Sequence, residues 1–318
     1  MTETGPFLES AWADLSPVLK GWLSESDLRS GLEEWLCGQL EWCTDHEFSA
    51  RFHKACPVPG AAPEEYLQRL LETPSGARIL VGIRFRGRDR SFPFVDLVAS
   101  TRSLLPAEAV HEAVETIALQ YTSFEPRAVR ILRSCAAPAL TVGPRTVTLD
   151  QSIVTGKVRT LNNLPALPTT AEVAFEPTRD IPGTVDFVRR AYEEFFSQYP
   201  SMAGTIHPAD ADDLRTCEQA ACLGYAIIDG QRAGVISAAP RTNYGLRGHE
   251  VIEEIIAAPW RGRGFGPVVQ RAMVDHLATS QPESLLFGAI ASTNLASRST
   301  ALRVGRTATA DYLFVALR

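Results

Sequence analysis

Apolar residues recur at helical spacing through the first seventy positions. Leu28, Leu32, Trp35, Leu36, Leu40 and Cys43 share one helix face, with Ser26 or Asp27 as the cap. Trp12, Trp22, Trp35 and Trp42, four of the five tryptophans, lie here. They serve either as packing between helices or as an aromatic wall for an apolar ligand. The period then changes to two. Ile79, Val81, Ile83 and Phe85 alternate with other residues, Gly87-Arg-Asp makes a turn, and Phe92 to Ala99 returns as a second strand. A helix over 106–120 follows, with Val110, Ala113, Val114 and Ile117 on one face, then strands near 127–133 and 146–154.

The stretch 155–170 carries three leucines, two prolines, one glycine, two asparagines and no clear period, which reads as a linker. Beyond it the pattern becomes regular. It predicts a strand at 172–175, a helix at 180–199, a second at 208–217, and a hairpin across Asp229-Gly230. A strong apolar strand at 251–257, a helix at 266–279, a strand at 284–290, a helix at 294–304 and a strand at 312–317 complete the series. The expected division is therefore an N-terminal domain over 1–155, a linker over 156–170 and a second domain over 171–318.

The chain has 318 residues, 45% hydrophobic and 21% charged, enough for two packed domains. A net charge of −6 without a basic cluster argues against nucleic acid as a partner. No apolar run is long enough for a membrane span, and the N-terminus lacks the pattern of a signal peptide, so a cytoplasmic protein without membrane partners is expected. Cys37, Cys43, Cys56, Cys135, Cys217 and Cys222 form no Cys-x-x-Cys pair and no zinc spacing, so they read as reduced thiols and no metal site is expected.

Chemistry concentrates where the strand at 251–257 runs into Pro259-Trp-Arg261-Gly262-Arg263-Gly264-Phe265-Gly266-Pro267 and then a helix. The first N–H groups of a helix lack intrahelical partners, and its dipole favours negative charge there. Glycines admit close backbone approach, and Arg261 and Arg263 add charge, so the turn is a candidate phosphate site. Pro267 suits the first helical position. The dinucleotide-binding order of Gly-x-Gly-x-x-Gly and a Walker lysine are both absent.

Arg261-x-x-Gly264-x-Gly266 between strand and helix resembles the acyl-CoA pyrophosphate loop of the GNAT acyltransferase superfamily. Asn294-x-x-Ser297, followed by Gly305, is similar to the family's second signature. The resemblance implies an α/β (α+β) GNAT fold, a mixed central sheet flanked by helices. It implies transfer of an acetyl or longer acyl group from acyl-CoA to a primary amine of a small molecule or aminosugar, as in antibiotic or secondary metabolism. Acyl-CoA would be held by the backbone at Ile255, Ile256 and Ala257, by Arg261, Gly262, Arg263, Gly264, Phe265 and Gly266, and by Asn294 and Ser297. The Ile256 N–H would stabilise the oxyanion. A strand carboxylate, Glu254 or Glu250 and then Glu253, would be the general base. Strict alternation puts Glu250 and Glu254 on one face and Glu253 on the other, unless a bulge intervenes. Two departures stand out. Ala301 occupies the family's frequent tyrosine position, leaving Ser299, Thr300, Tyr312 or water as proton donor, and Pro259 lies one residue nearer Arg261 than usual.

The order of elements over 1–155 also resembles a GNAT half. Ser100-Thr-Arg-Ser-Leu-Leu-Pro106 stands where a pyrophosphate loop would be, without glycine. This half is expected to be either a degenerate repeat or a helix-rich lid or substrate domain. His207 and His276 read as structural. The competing functions are a protein or peptide N-acetyltransferase and a non-catalytic acyl-CoA-binding regulatory module. A monomer or a homodimer is compatible with the sequence.

Overall fold

The computed structural model describes residues 4–86 and 89–317. Four helices come first: α1 (Gly5–Asp14), α2 (Pro17–Trp22), α3 (Glu25–Glu41) and α4 (His46–Ala55). Strands β1 (Arg69–Glu72), β2 (Arg78–Phe85) and β3 (Pro93–Ser100), helix α5 (Ala107–Gln120) and strands β4 (Ala128–Ser134) and β5 (Val147–Lys157) follow. Next come α6 (Val158–Asn162), β6 (Val173–Pro177), α7 (Ile181–Gln198), α8 (Ala211–Gln219), β7 (Leu223–Ile228), β8 (Gln231–Asn243) and β9 (Leu246–Ile256). Helix α9 (Gly266–Ser280), β10 (Leu285–Ala291), α10 (Leu295–Val304) and β11 (Thr307–Ala316) end the chain. The architecture is the expected mixed α/β one, strands flanked by helices. Gly87 and Arg88 of the expected turn lie outside the described residues.

Two compact units divide the chain. Unit 1 comprises Met1–Ser152, Thr242–Leu246 and Thr309–Arg318; unit 2 comprises Ile153–Arg241 and Arg247–Ala308. In unit 1 the strand order is β1-β2-β3-β4-β11-β5. β2 and β3 are antiparallel, and β3 then pairs in parallel with β4 across α5. Alternate residues Ile79, Val81, Ile83, Val95, Leu97, Val129 and Ile131 bury one sheet face against Val110, Val114 and Ile117 of α5. On the opposite face Leu80 and Ala99 meet Phe7 of α1 and Leu36 of α3. The cap of α3 is Ser24, which accepts from the Asp27 N–H, rather than Ser26 or Asp27. The four N-terminal tryptophans are half-buried, not core. Trp42 stacks on Phe48 at 4.6 Å, and Trp12 lies under Lys20 and Arg29.

In unit 2 the order runs from the end of β5 through β10-β9-β8-β7 to β6. β6, β7 and β8 are antiparallel, the last two joined by Asp229 and Gly230, both at positive φ, as the tight hairpin turn requires. One sheet face packs on α9 through Val269, Met273, Val274 and Leu277; the other packs on Val188, Ala191 and Tyr192 of α7 and Leu214 of α8.

The observed division differs from the expected one at both ends of the second domain. β11 belongs to unit 1, where Ala310–Ala316 pair antiparallel with β4 and Val315 enters the core. The expected linker is partly structured. Val158 and Leu161 of α6 are fully buried beside Ile228, Phe265 and Val269. Two apolar residues in an aperiodic stretch were anchors, because a single helical turn is too short to show a period. Leu161→Ala should therefore cost about 2–5 kcal/mol in urea denaturation. A cost under about 0.5 kcal/mol, the surface-linker value, would contradict this packing.

Candidate functional site

β9 pairs in parallel with β10 at His249–Leu286 and Glu250–Phe287, and among the described residues the register extends no further. Val251 still lies beside Gly288, and the two strands part beyond it, over the segment 252–256, where the expected acyl-transfer centre lies. Their other edges stay tied: Ala257 donates its N–H to Ala233 O at 2.8 Å on β8. Successive backbone groups of a strand point to opposite edges, so the Ile256 N–H and C=O point away from β8. The Ile256 carbonyl accepts from Arg261 Nε at 2.5 Å, consistent with that direction.

Alternation fails within β9. Val251 and Ile256 pack on the α9 side, whereas Ile252 and Ile255 pack on the α7/α8 side. Two odd steps, five and three residues apart, share a face, as one extra residue in the strand dictates. Glu253 faces α7, where Tyr192 donates its hydroxyl to Oε1 at 2.9 Å and the Ala209 N–H donates to Oε2 at 2.9 Å. Glu254 faces α9, where Gln270 Nε2 donates to its Oε2 at 2.7 Å. Continuing the alternation back from Val251 puts Glu250 on the α7/α8 side. Glu250 and Glu254 are thus on opposite faces, contrary to strict alternation.

Both carboxyls are pushed up to about 7, chiefly by desolvation; their hydrogen bonds oppose that shift. Behind Glu254 lies a buried network. Arg306 Nη1 donates to Gln270 Oε1 at 3.2 Å and Nη2 to Val154 O at 2.9 Å, which fixes the Gln270 amide with its NH2 toward Glu254. Burial pulls Arg306 down to about 10, yet it remains a cation at neutral pH and attracts the Glu254 carboxylate. Sequence reasoning missed Tyr192, Gln270 and Arg306. Gln270 carried a signal, being a polar residue at a core position of a helix whose neighbours Val269, Met273 and Val274 are apolar.

The glycine-rich turn follows one 3₁₀ turn at Ala258–Trp260. Gly262 and Gly264 have φ of 72° and 81°, the left-handed region that favours glycine, and a Cβ at either would meet nothing within 4 Å. Gly266 is glycine for another reason: a Cβ there would sit 2.5 Å from Thr300 Oγ1 on α10. Gly266 is also the first residue of α9, so Pro267 is the second and not the first helical residue. Arg261 points inward. Besides Ile256 O it reaches Ala191 O at 2.6 Å through Nη2, lies over Phe195, and leaves Nη1 buried without a partner. Its side chain thus ties the turn to β9 and α7 instead of extending outward as a charge for phosphate. Arg263 is exposed and stacks on Trp260 and Phe265, while Phe265 itself is buried in the core.

Asn294 Oδ1 caps α10 by accepting from the Ser297 N–H at 3.1 Å, and Gly305 closes that helix at φ 101°. Ala301 is fully buried and offers no proton donor, and Tyr312 belongs to unit 1. His276 donates its Nε2–H to Ala221 O at 2.8 Å and packs tilted against Phe175; His207 is exposed. Among the described residues no helix is long and apolar enough to cross a membrane, and no group of three or more His, Cys, Asp or Glu could hold a metal ion.

No protein-family model and no curated protein sequence matches the chain. Solved structures do. A GCN5-related N-acetyltransferase from Sphaerobacter thermophilus aligns with a TM-score of 0.51 at 11% identity, covering 85% of this chain and 84% of that one. A GNAT-family acetyltransferase from Colwellia psychrerythraea aligns at 0.48 and 14% identity, over 76% and 81%. A tandem GNAT protein from the clavulanic acid biosynthesis pathway aligns at 0.40 and 15% identity, over 86% and 95%. The fold is that of the GNAT acetyltransferases.

The raised carboxyls set a sign for stability. A folded chain holding Glu253 and Glu254 near pH 7 binds more protons than the unfolded chain between about pH 4.5 and 7. Their contribution is therefore present at low pH and lost as pH rises through that window. Denaturation of the parent, Glu253→Gln and Glu254→Gln across this range should show each variant gaining on the parent as pH rises, by up to a few kcal/mol. A difference that stays flat, or runs the other way, would refute the assignment.

Proposed function

We propose that the chain is an acyl-CoA-dependent N-acyltransferase whose acyl-CoA site lies in unit 2. The observation that carries this reading is the coincidence of three features: strands β9 and β10 that part after Val251, the Ile256 N–H directed away from β8, and the open glycine turn at the start of α9. In this reading the pantetheine arm extends along Ile255, Ile256 and Ala257 as an added strand would. The pyrophosphate sits at the turn formed by Arg261, Gly262, Arg263, Gly264, Phe265 and Gly266, against the first N–H groups of α9. Gly262 and Gly264 fit that group because nothing of the protein occupies the space above them. Asn294 and Ser297 start the helix that packs on Gly266 and so shape the same end of the site.

Attack needs a neutral amine, since an ammonium has no lone pair. Glu254 is the favoured base. Gln270 holds one carboxylate oxygen in place, and a carboxyl near 7 accepts a proton far better than one near 4.3. Glu253 is nearly inaccessible with both oxygens bonded, which suits a role in holding Tyr192 and the segment before α8. The Ile256 N–H donates to the oxyanion of the tetrahedral intermediate. The carbon–sulfur bond then breaks. A thiol titrates at about 8.5, so the departing thiolate tolerates a site in which Ala301 replaces a proton donor.

Thiol release from acetyl-CoA and longer acyl-CoAs, scanned over small amines, aminosugars and peptides, tests the reaction and separates the acceptor classes. Turnover with a small amine or aminosugar is expected; turnover with peptides alone moves the acceptor class, and binding without turnover leaves a regulatory module. Gly264→Asp should weaken acetyl-CoA binding by about tenfold or more in calorimetry, through strain at positive φ and repulsion of pyrophosphate. Unchanged affinity would remove the cofactor site from this turn. Glu254→Gln should lower kcat and abolish a rising limb of kcat/KM near pH 7, while Glu253→Gln should keep that limb.

A further inference from the structure

Unit 1 contains a charged cluster on the sheet face opposite α5. Arg84 on β2, Asp96 on β3, Arg130 on β4 and Asp150 on β5, with β11 between the last two strands, lie across the sheet, joined by Arg86 just after β2. Their strand neighbours Ile83, Phe85, Val95, Leu97, Val129 and Ile131 point the other way, into the α5 core. Arg84 stands four residues beyond Leu80 along β2, where the end of α3 reaches it through Trp42 and through Gln68, whose Nε2 donates to Gln39 O.

The charges do not balance. Arg130 takes both oxygens of Asp96, Nε to Oδ1 at 2.5 Å and Nη2 to Oδ2 at 2.7 Å. Asp150 is shared by Arg86 and by Arg130, whose Nη1 lies 3.5 Å away. Arg84 is left with a 3.5 Å approach to the Asp96 oxygen that Arg130 already holds, and its other contacts are neutral: Ile83 O and Gln68 Oε1. Among the described residues, the charged groups that act most strongly on Arg84 are Asp96 and Arg130, and on Asp150 they are Arg86, Arg130 and Asp96. Among the described residues, three guanidiniums thus face two carboxylates in a largely desolvated place, a net charge of +1. Burying an uncompensated charge is costly unless a counterion arrives.

Part of the cluster reaches solvent, at Arg84 and Arg86. The guanidinium side chains of Arg84 and Arg86 keep 18% and 32% of their surface, while the Asp150 side chain keeps 4%. The walls are aromatic. Arg84 lies 5.5 Å from the Trp42 ring centre, Arg130 4.2 Å from Tyr312 and Arg86 5.1 Å from Phe314. Ring faces hold the guanidinium planes; Tyr312 and Phe314 are buried under them, and Trp42 is half-buried.

We propose that this cluster is a binding site for a monocarboxylate with an apolar or aromatic body, its carboxylate paired with Arg84 and its body against the aromatic walls. One negative charge matches the excess of one, and the flat fork of a guanidinium matches a carboxylate. The site lies wholly in unit 1 and does not depend on acyl-CoA binding.

Calorimetry of the full chain with benzoate, benzamide and inorganic phosphate tests it. Benzoate should bind with one-to-one stoichiometry, and benzamide, the neutral analogue, at least about tenfold more weakly. Arg84→Gln should weaken benzoate by a similar factor. Asp150→Asn raises the excess charge and should tighten benzoate severalfold, which a merely structural cluster would not do; this arm also stands if Arg84→Gln fails to fold. Gly264→Asp and added acetyl-CoA should leave benzoate binding unchanged, which separates this site from the turn in unit 2. Equal binding of benzoate and benzamide, tighter binding of phosphate, or no tightening in Asp150→Asn would each overturn the proposal.

Discussion

One residue too many in β9 determines the character of unit 2. A regular strand would have put Glu253 alone on one face and paired Glu250 with Glu254 on the other. The break between Ile252 and Glu253 turns the strand end so that Ile252, Glu253 and Ile255 meet α7 and α8 while Glu254 and Ile256 meet α9. Two adjacent carboxyls therefore enter the protein on opposite sides of one sheet. Each then meets a polar side chain of the helix it faces, Tyr192 on α7 and Gln270 on α9, both buried among apolar neighbours.

The cost of burying these groups explains the polar atoms around them. An unpaired carboxyl in an apolar setting shifts its titration upward until it is neutral, and both reach about 7. Gln270 bridges Glu254 and Arg306, so a buried cation offsets part of the same cost from the far side of the amide. Arg261 plays a comparable part at the strand end. By bonding Ile256 O and Ala191 O it consumes a carbonyl that the parting of β9 and β10 would leave bare, and it holds the glycine turn on the end of the strand.

The regular elements of unit 2 were legible because each helix shows its apolar face and each strand its period; Asp229-Gly230, Asn294 and Gly305 also marked turns and caps that the structure contains. The glycine turn was legible as a turn, but the roles of its residues were not. Spacing could not tell that Gly266 yields to Thr300 while Gly262 and Gly264 serve backbone conformation, nor that Arg261 points inward. Such distinctions depend on residues distant in sequence. The same holds for β11, whose apolar alternation is plain but whose partner is β4, nearly two hundred positions earlier. The break in β9 lacked any local mark, since Glu253 and Glu254 are ordinary strand-surface residues until α7 and α9 cover them.

Both units contain an antiparallel pair, a helix and a parallel strand in the same order: β2, β3, α5, β4 and β8, β9, α9, β10. They treat the turn before the helix in opposite ways. In unit 2 two glycines at positive φ leave open space before α9. In unit 1 the corresponding turn has no glycine, and a carboxylate of the protein itself is there: Asp14, at the end of α1, accepts the Leu104 N–H at 2.7 Å and the Ser103 hydroxyl. Arg133 closes the same segment from behind through Leu104 O and Leu105 O. The Leu104 N–H ahead of α5 is thus met by an internal anion, and a phosphate would have to displace it at the cost of leaving a carboxylate unpaired. The unit 1 segment is filled where the unit 2 turn is open. The filled segment retains an anion, supplied by the first helix of the chain, and the strand face beyond that helix is left to carry the arginines.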